Sequence, residues 1–176
     1  MSDSFEFREV THFTAGAIGE PGQRVFYLQI GDASSTVTVK LEKQQVKALA
    51  QFLKGVLDDL PSVTGPATAT PLISPTIPEW TVGQIAVGVD EADAEVVLVI
   101  GELIVDEDDE DDELDLEDDI LMVDEDDGAK VRAHIGVAQA ASFIVTSDEL
   151  MEGGRPPCRL CGQPLDPTGH ACPRLN

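Results

Sequence analysis

The chain has 176 residues, 42% of them apolar, which is enough for about one domain with a buried core and excludes a wholly disordered protein. Its 34 acidic residues outweigh 11 basic ones to give a net charge of −23, so a nucleic-acid backbone would be repelled before contact and direct nucleic-acid binding is not expected. No window holds the roughly 20 apolar residues of a membrane span, and the first 25 residues have neither a basic start nor a signal-type apolar run; the expectation is a cytoplasmic protein without membrane insertion.

Taken in chain order, residues 8–17 and 24–30 alternate well enough for two strands, separated by a turn at Gly19, Pro21 and Gly22. Residues 36–41 place Val37, Val39 and Leu41 on one face and Thr36, Thr38 and Lys40 on the other, the pattern of a strand with one wet side. From residue 42 to 60 apolar side chains recur at Val46, Leu49, Ala50, Leu53, Val56, Leu57 and Leu60. That spacing predicts a helix with one buried stripe, stopped by Pro61, with Lys43, Lys47 and Lys54 turned away from it. Five prolines between Pro61 and Pro78 then predict an extended linker over residues 61–79, because proline fixes its backbone angle and has no amide to donate.

The second half echoes the first. Residues 81–89 and 95–105 read as strands joined at a polar turn around Asp90–Asp93, with Gly101 as a bulge position. Residues 106–127 hold 16 Asp or Glu and no Lys or Arg, leaving 18 acidic against 11 basic elsewhere. Like charges this dense repel one another and cannot pack, so the tract is expected to be a solvated loop, its apolar island at residues 120–123 aside. Residues 130–135 alternate as a further strand, and residues 137–151 read as a helix with Ala140, Ala141, Ile144 and Met151 inward, ended by Gly153 and Gly154. Two strand-strand-strand-helix units result. Consecutive short-turn strands pair antiparallel and the following helices cover one face or end, so the fold class is α+β, with a body over residues 1–153.

The remaining residues, 154–176, carry all three cysteines of the chain and one of its histidines in the order Cys158, Cys161, His170, Cys172. Zinc takes four soft or borderline donors in a tetrahedron, and a C-x2-C turn supplies two thiolates from one knuckle, here followed by Gly162. The segment's large apolar residues are Leu160, Leu165 and Leu175, too few to offset the roughly 1–2 kcal/mol per residue of ordering. A structural Zn2+ bound by Cys158, Cys161, His170 and Cys172 would supply about 10–16 kcal/mol instead. His170 and Cys172 stand one residue apart and would point oppositely in an extended segment, so a turn must reorient them or another group must complete the site.

Competing chemistries fit less well. Pro156, Pro157 and Pro164 flank the C-x2-C and oppose the helix that a thioredoxin-like redox motif requires. A zinc deaminase needs an H-x-E upstream, whereas His12 is followed by Phe13-Thr14 and His134 by Ile135-Gly136. A nucleic-acid knuckle wants aromatic residues, and none follows Phe143, although Arg155, Arg159 and Arg174 could meet an anion. The acidic tract misses the calcium-loop spacing, and no phosphate loop, nucleophile elbow or H-E-x-x-H helix is present.

The run from Gly154 to Arg174, GRPPCRLCGQPLDPTGHACPR, resembles an actinobacterial protein family of unknown function whose members carry a GRPxCxLCGxPLDPxGHxCPR tail after an α+β body with an acidic stretch. The resemblance implies the same four metal ligands and no defined activity; it also implies an operon partner, since members are often encoded near lipid-kinase-like and histidine-phosphatase-like proteins. The functional expectation is a non-catalytic adaptor for another protein, with the metal-ordered tail as its docking element and an acidic surface suiting its arginines. One alternative is an enzyme or small-ligand domain using a pocket on a sheet face near His12 and His134, with Arg132, Thr36, Thr38 and Lys40 on the same polar face. Another is an acidic nucleic-acid mimic that occupies a basic partner through residues 106–127.

Overall fold

The computed structural model describes residues 3–59, 66–90, 92–104, 128–153, 158–163, 165 and 170–174. Seven strands and two helices follow one another as β1 (Phe5–Phe7), β2 (His12–Ile18), β3 (Val25–Gly31), β4 (Thr36–Leu41), α1 (Lys43–Asp59), β5 (Val82–Asp90), β6 (Glu95–Glu102), β7 (Lys130–Gly136) and α2 (Val137–Glu152). The architecture is α+β, as the sequence predicts, and two antiparallel three-strand runs are each followed by a helix. The strands form two sheets, one of three strands in the order β2-β3-β4 and one of four in the order β1-β7-β6-β5. A single parallel bridge between Lys40 and Thr81 joins β4 to the entry of β5, supported by Lys40 N–H to the Trp80 carbonyl and Glu79 N–H to the Thr38 carbonyl, both 2.9 Å.

The first strand corrects the sequence expectation. The strand expected over residues 8–17 begins only at His12, as β2, and an unexpected strand, β1, precedes it across the exposed Arg8 and Glu9; the two enter different sheets. β1 is three residues long and pairs parallel with β7, Phe5 opposite Val131 and Phe7 opposite Ala133, which makes the four-stranded sheet mixed. The bulge also moves. It falls at Gly83 in β5, opposite Gly101 and Glu102, and not at Gly101 itself. A Cβ on Gly83 would lie 2.8 Å from the Leu103 Cα, so glycine is what lets the strand kink there.

The first helix presents the apolar stripe read from the sequence, whereas the second buries a different face from the one expected. Val46, Leu49, Ala50 and Leu53 of α1 are buried, and Lys43, Lys47 and Lys54 are exposed, Lys54 pairing with Asp148 of α2 at 2.9 Å. Leu60 and Pro61 lie outside the described residues. In α2 the buried set is Ala140, Phe143, Thr146 and Ser147, while Ala141, Ile144 and Met151 are only half-buried. Phe143 is fully buried and stacks on Phe13 of β2 with centroids 4.5 Å apart, so the helix of the second unit packs on the sheet of the first. Gln139 fixes where that helix starts: its Oε1 accepts from Gly136 N–H at 2.8 Å and its Nε2 donates to the Val10 carbonyl. Gly153 ends it, donating to the Glu149 carbonyl at 3.0 Å.

The expected wet face of β4 is covered at Thr38, while Thr36 stays exposed and Lys40 half-buried. In the three-stranded sheet, register aligns Thr14, Gln29 and Thr38 in a row across β2, β3 and β4, opposite the face that carries Phe13, Leu28 and Val39. Thr14, Gln29 and Thr38 are all buried, because residues 70–73 of the proline-rich connector lie over them. Gln29 Oε1 accepts from Ile73 N–H at 2.7 Å and its Nε2 donates to the Ile73 carbonyl at 2.8 Å. The acidic tract, residues 106–127, lies outside the described residues.

Candidate metal centre

The C-terminal segment turns back at its first cysteine. Gly162 N–H donates to the Cys158 carbonyl at 2.8 Å, Cys158 N–H donates to the Gln163 carbonyl at 2.7 Å, and together they close a knuckle over residues 158–163. Gly162 takes φ +75° there, with no atom within 4 Å of where a Cβ would stand. The reason for glycine is therefore backbone angle and not space, as the sequence suggests.

The knuckle aims Cys158 and Cys161 at His170 and Cys172. One ligand atom from each of the four lies within 4.8 Å of every other. Cys158 Sγ and Cys172 Sγ are 4.0 Å apart, and Cys161 Sγ is 3.6 Å from His170 Nε2. Around a tetrahedral ion with metal–sulfur bonds of about 2.3 Å and a metal–nitrogen bond of about 2.0–2.1 Å, two sulfurs stand roughly 3.8 Å apart and a sulfur roughly 3.5 Å from the nitrogen. The spacing fits a metal ion. A disulfide would need about 2.05 Å between sulfurs, and all three cysteines are free thiols. The His-x-Cys spacing is thus accommodated: both side chains reach the cluster, His170 through the far nitrogen of its ring.

Local dipoles favour thiolate where a cation would want it. The amide N–H groups of Cys161 and Leu160 point at the Cys158 sulfur and pull that thiol down to about 6. At Cys161 the Gln163 amide acts in the same direction, but burial, the neighbouring Cys158 and Cys172 thiols and the charge on Cys158 outweigh it and leave the thiol above its usual value. Such a split is what close-set thiols show before an ion is present to neutralise the second charge. Cys172 is buried, and the other three ligands are half-buried.

The histidines outside the tail do not share a face. His12 lies in the three-stranded sheet with its Nε2 3.2 Å from Gln29 Oε1, whereas His134 lies in the four-stranded sheet with its Nδ1 3.4 Å from Glu95 Oε2. Of the other residues read onto one polar face, Thr38 is buried, Lys40 is half-buried, Thr36 and Arg132 are exposed, and Arg132 stands in the other sheet from the rest. Among the described residues the cysteine and histidine cluster is the grouping with metal-ligand chemistry, and no described helix is long and apolar enough to cross a membrane.

Compared with known proteins, the chain matches the model of a family described as protein of unknown function, DUF3090, over residues 5–172, and it belongs to that family. The match ends at Cys172, so all four candidate ligands fall inside it. No curated protein and no solved structure matches the chain.

Proposed function

We propose that this DUF3090 chain is a non-catalytic adaptor whose residues 154–176 are ordered by a structural zinc ion on Cys158, Cys161, His170 and Cys172. The observation that carries the reading is the four-donor cluster itself, with every ligand atom within 4.8 Å of the others. Three sulfurs and one imidazole nitrogen this close together suit zinc better than a hard, oxygen-seeking cation. Four protein donors complete the shell and leave no position for a water or a substrate, so the metal's role is to hold the knuckle. Arg159 and Arg174 stand exposed beside the ligands and would present that knuckle to an acidic protein surface. The separation of His12 and His134 into different sheets favours this binding role over a catalytic one.

Elemental analysis of untagged, freshly reduced protein tests the metal. About one zinc per chain is expected, with loss in Cys158→Ser; no zinc in the reduced wild-type protein would overturn the reading. Capture of a partner by the full chain and by a chain ending at residue 153 then tests docking. Equal capture by both would remove the tail's adaptor role.

A further inference from the structure

The connector over the three-stranded sheet is held in an unusual way. Its backbone, more than its side chains, is what the body reads. The Gln29 carboxamide meets both the N–H and the carbonyl of Ile73, as a neighbouring strand would, and is oriented by Thr38 Oγ1 at 3.1 Å and His12 at 3.2 Å. All the donor and acceptor capacity of that buried amide is thereby used. Three residues earlier the Thr70 carbonyl accepts from Thr14 Oγ1, and Thr70 N–H donates to Thr146 Oγ1 of α2 at 3.0 Å. Between these two clasps Leu72 lies over Gly16, where a Cβ would come within 2.5 Å of the leucine side chain. The absent side chain makes a leucine-sized seat.

The connector gives little in return. Ile73 is 50% exposed and Ile77 is 69% exposed, Pro66, Pro71, Pro75 and Pro78 are all exposed, and Leu72 is half-buried. A segment tied by backbone hydrogen bonds with few buried apolar contacts belongs to the low-stability end of a fold and opens locally. The groove beneath it is fully formed: Thr14 and Gln29 are rigidly placed by three paired strands and Thr146 by α2.

We infer that this face is a peptide-binding groove, with residues 70–73 as its resident ligand, and that an extended partner segment carrying a leucine-sized side chain over Gly16 takes the connector's place. Backbone clasps supply affinity for any extended chain and the Gly16 seat supplies selectivity, the division of labour found where a peptide is added to a sheet. The groove lies in the body and is independent of the metal reading, so the peptide result is expected to be the same in Cys158→Ser.

The test uses the full chain with residues 69–74 replaced by the same number of Gly and Ser residues, its fold checked by circular dichroism. A fluorescent, end-capped peptide of residues 66–76 is titrated in and its anisotropy followed. Binding at least about tenfold tighter than to the wild-type chain is expected, with a loss of about tenfold on adding Gln29→Leu to the chain or Leu72→Ala to the peptide. In the wild-type chain, hydrogen exchange at the Ile73 amide is expected to be at least about 100-fold faster than at the Leu28 amide of β3. No binding to the folded replacement chain, binding indifferent to Gln29→Leu, or an Ile73 amide that exchanges only as slowly as Leu28 would each overturn the groove. Should the replacement chain fail to fold, the exchange measurement decides by itself.

Discussion

The body and the described part of the tail differ in what is available to order them. In the body, apolar side chains from both sheets and both helices, from Phe7 and Leu28 to Leu98 and Phe143, form one buried cluster, and removing them from water is worth roughly 25 cal/mol per Å2. In the described part of the tail, the buried residue is Cys172, itself a candidate ligand, while Leu160 is 49% exposed and Leu165 half-buried. Burial cannot be what folds the knuckle. The difference teaches where to look for each region's vulnerability: in shape for the body, and in four candidate ligand atoms for the tail.

On the zinc reading proposed above, removing the metal gives the largest expected effect. A chelator, or Cys161→Ser, should abolish protection from hydrogen exchange across residues 158–174, since about 10–16 kcal/mol of apparent binding energy would go with the ion. Protection at Phe143 in α2 should be unchanged. If α2 loses protection too, the two regions are one cooperative unit and the contrast between them fails. Phe143→Ala probes the other side. It deletes a fully buried ring stacked on Phe13 and should cost about 3–5 kcal/mol in denaturant unfolding of the body, while zinc per chain stays the same. A loss of zinc in Phe143→Ala would show that the knuckle depends on the packing of α2.

How legible each region was follows from the same difference. The grouping of Cys158, Cys161, His170 and Cys172 was legible, because these are rare residue types at short spacing and the turn after the first pair needs one glycine with positive φ. The elements of the body were legible where a period was clean: β4 matches its predicted span residue for residue, and α1 and β7 come within a residue or two. What escaped were the tertiary choices. Three residues, Phe5–Phe7, carry too little pattern to announce a parallel pairing with β7 more than a hundred residues away. Thr38 looks like part of a solvent face in the sequence, because a hydroxyl suits water and a buried amide equally well, yet it is buried with Thr14 and Gln29. Only the course of residues 70–73 decides between the two, and proline content predicts that such a segment is extended without saying what it lies upon.

The smallest expected effect lies inside the body's core and sharpens the contrast from within. Ser147 of α2 is 1% exposed, and among the described residues its hydroxyl has no hydrogen-bond partner. Its neighbour Thr146 shows the alternative: there the hydroxyl donates to the Ser142 carbonyl one turn back, at 2.9 Å, and accepts from Thr70 N–H. A buried hydroxyl left unmatched costs about 1–3 kcal/mol, and alanine is the better helix former, so Ser147→Ala should stabilise the body by about 1 kcal/mol. In a chain of this size that is roughly 2–4 °C in the thermal midpoint. Thr146→Val, which removes a hydroxyl that is matched and leaves Thr70 N–H without an acceptor, should shift the midpoint the other way. If Ser147→Ala is neutral or destabilising, the hydroxyl is bonded in solution, and polar matching governs this part of the body as strictly as ligand geometry governs the tail.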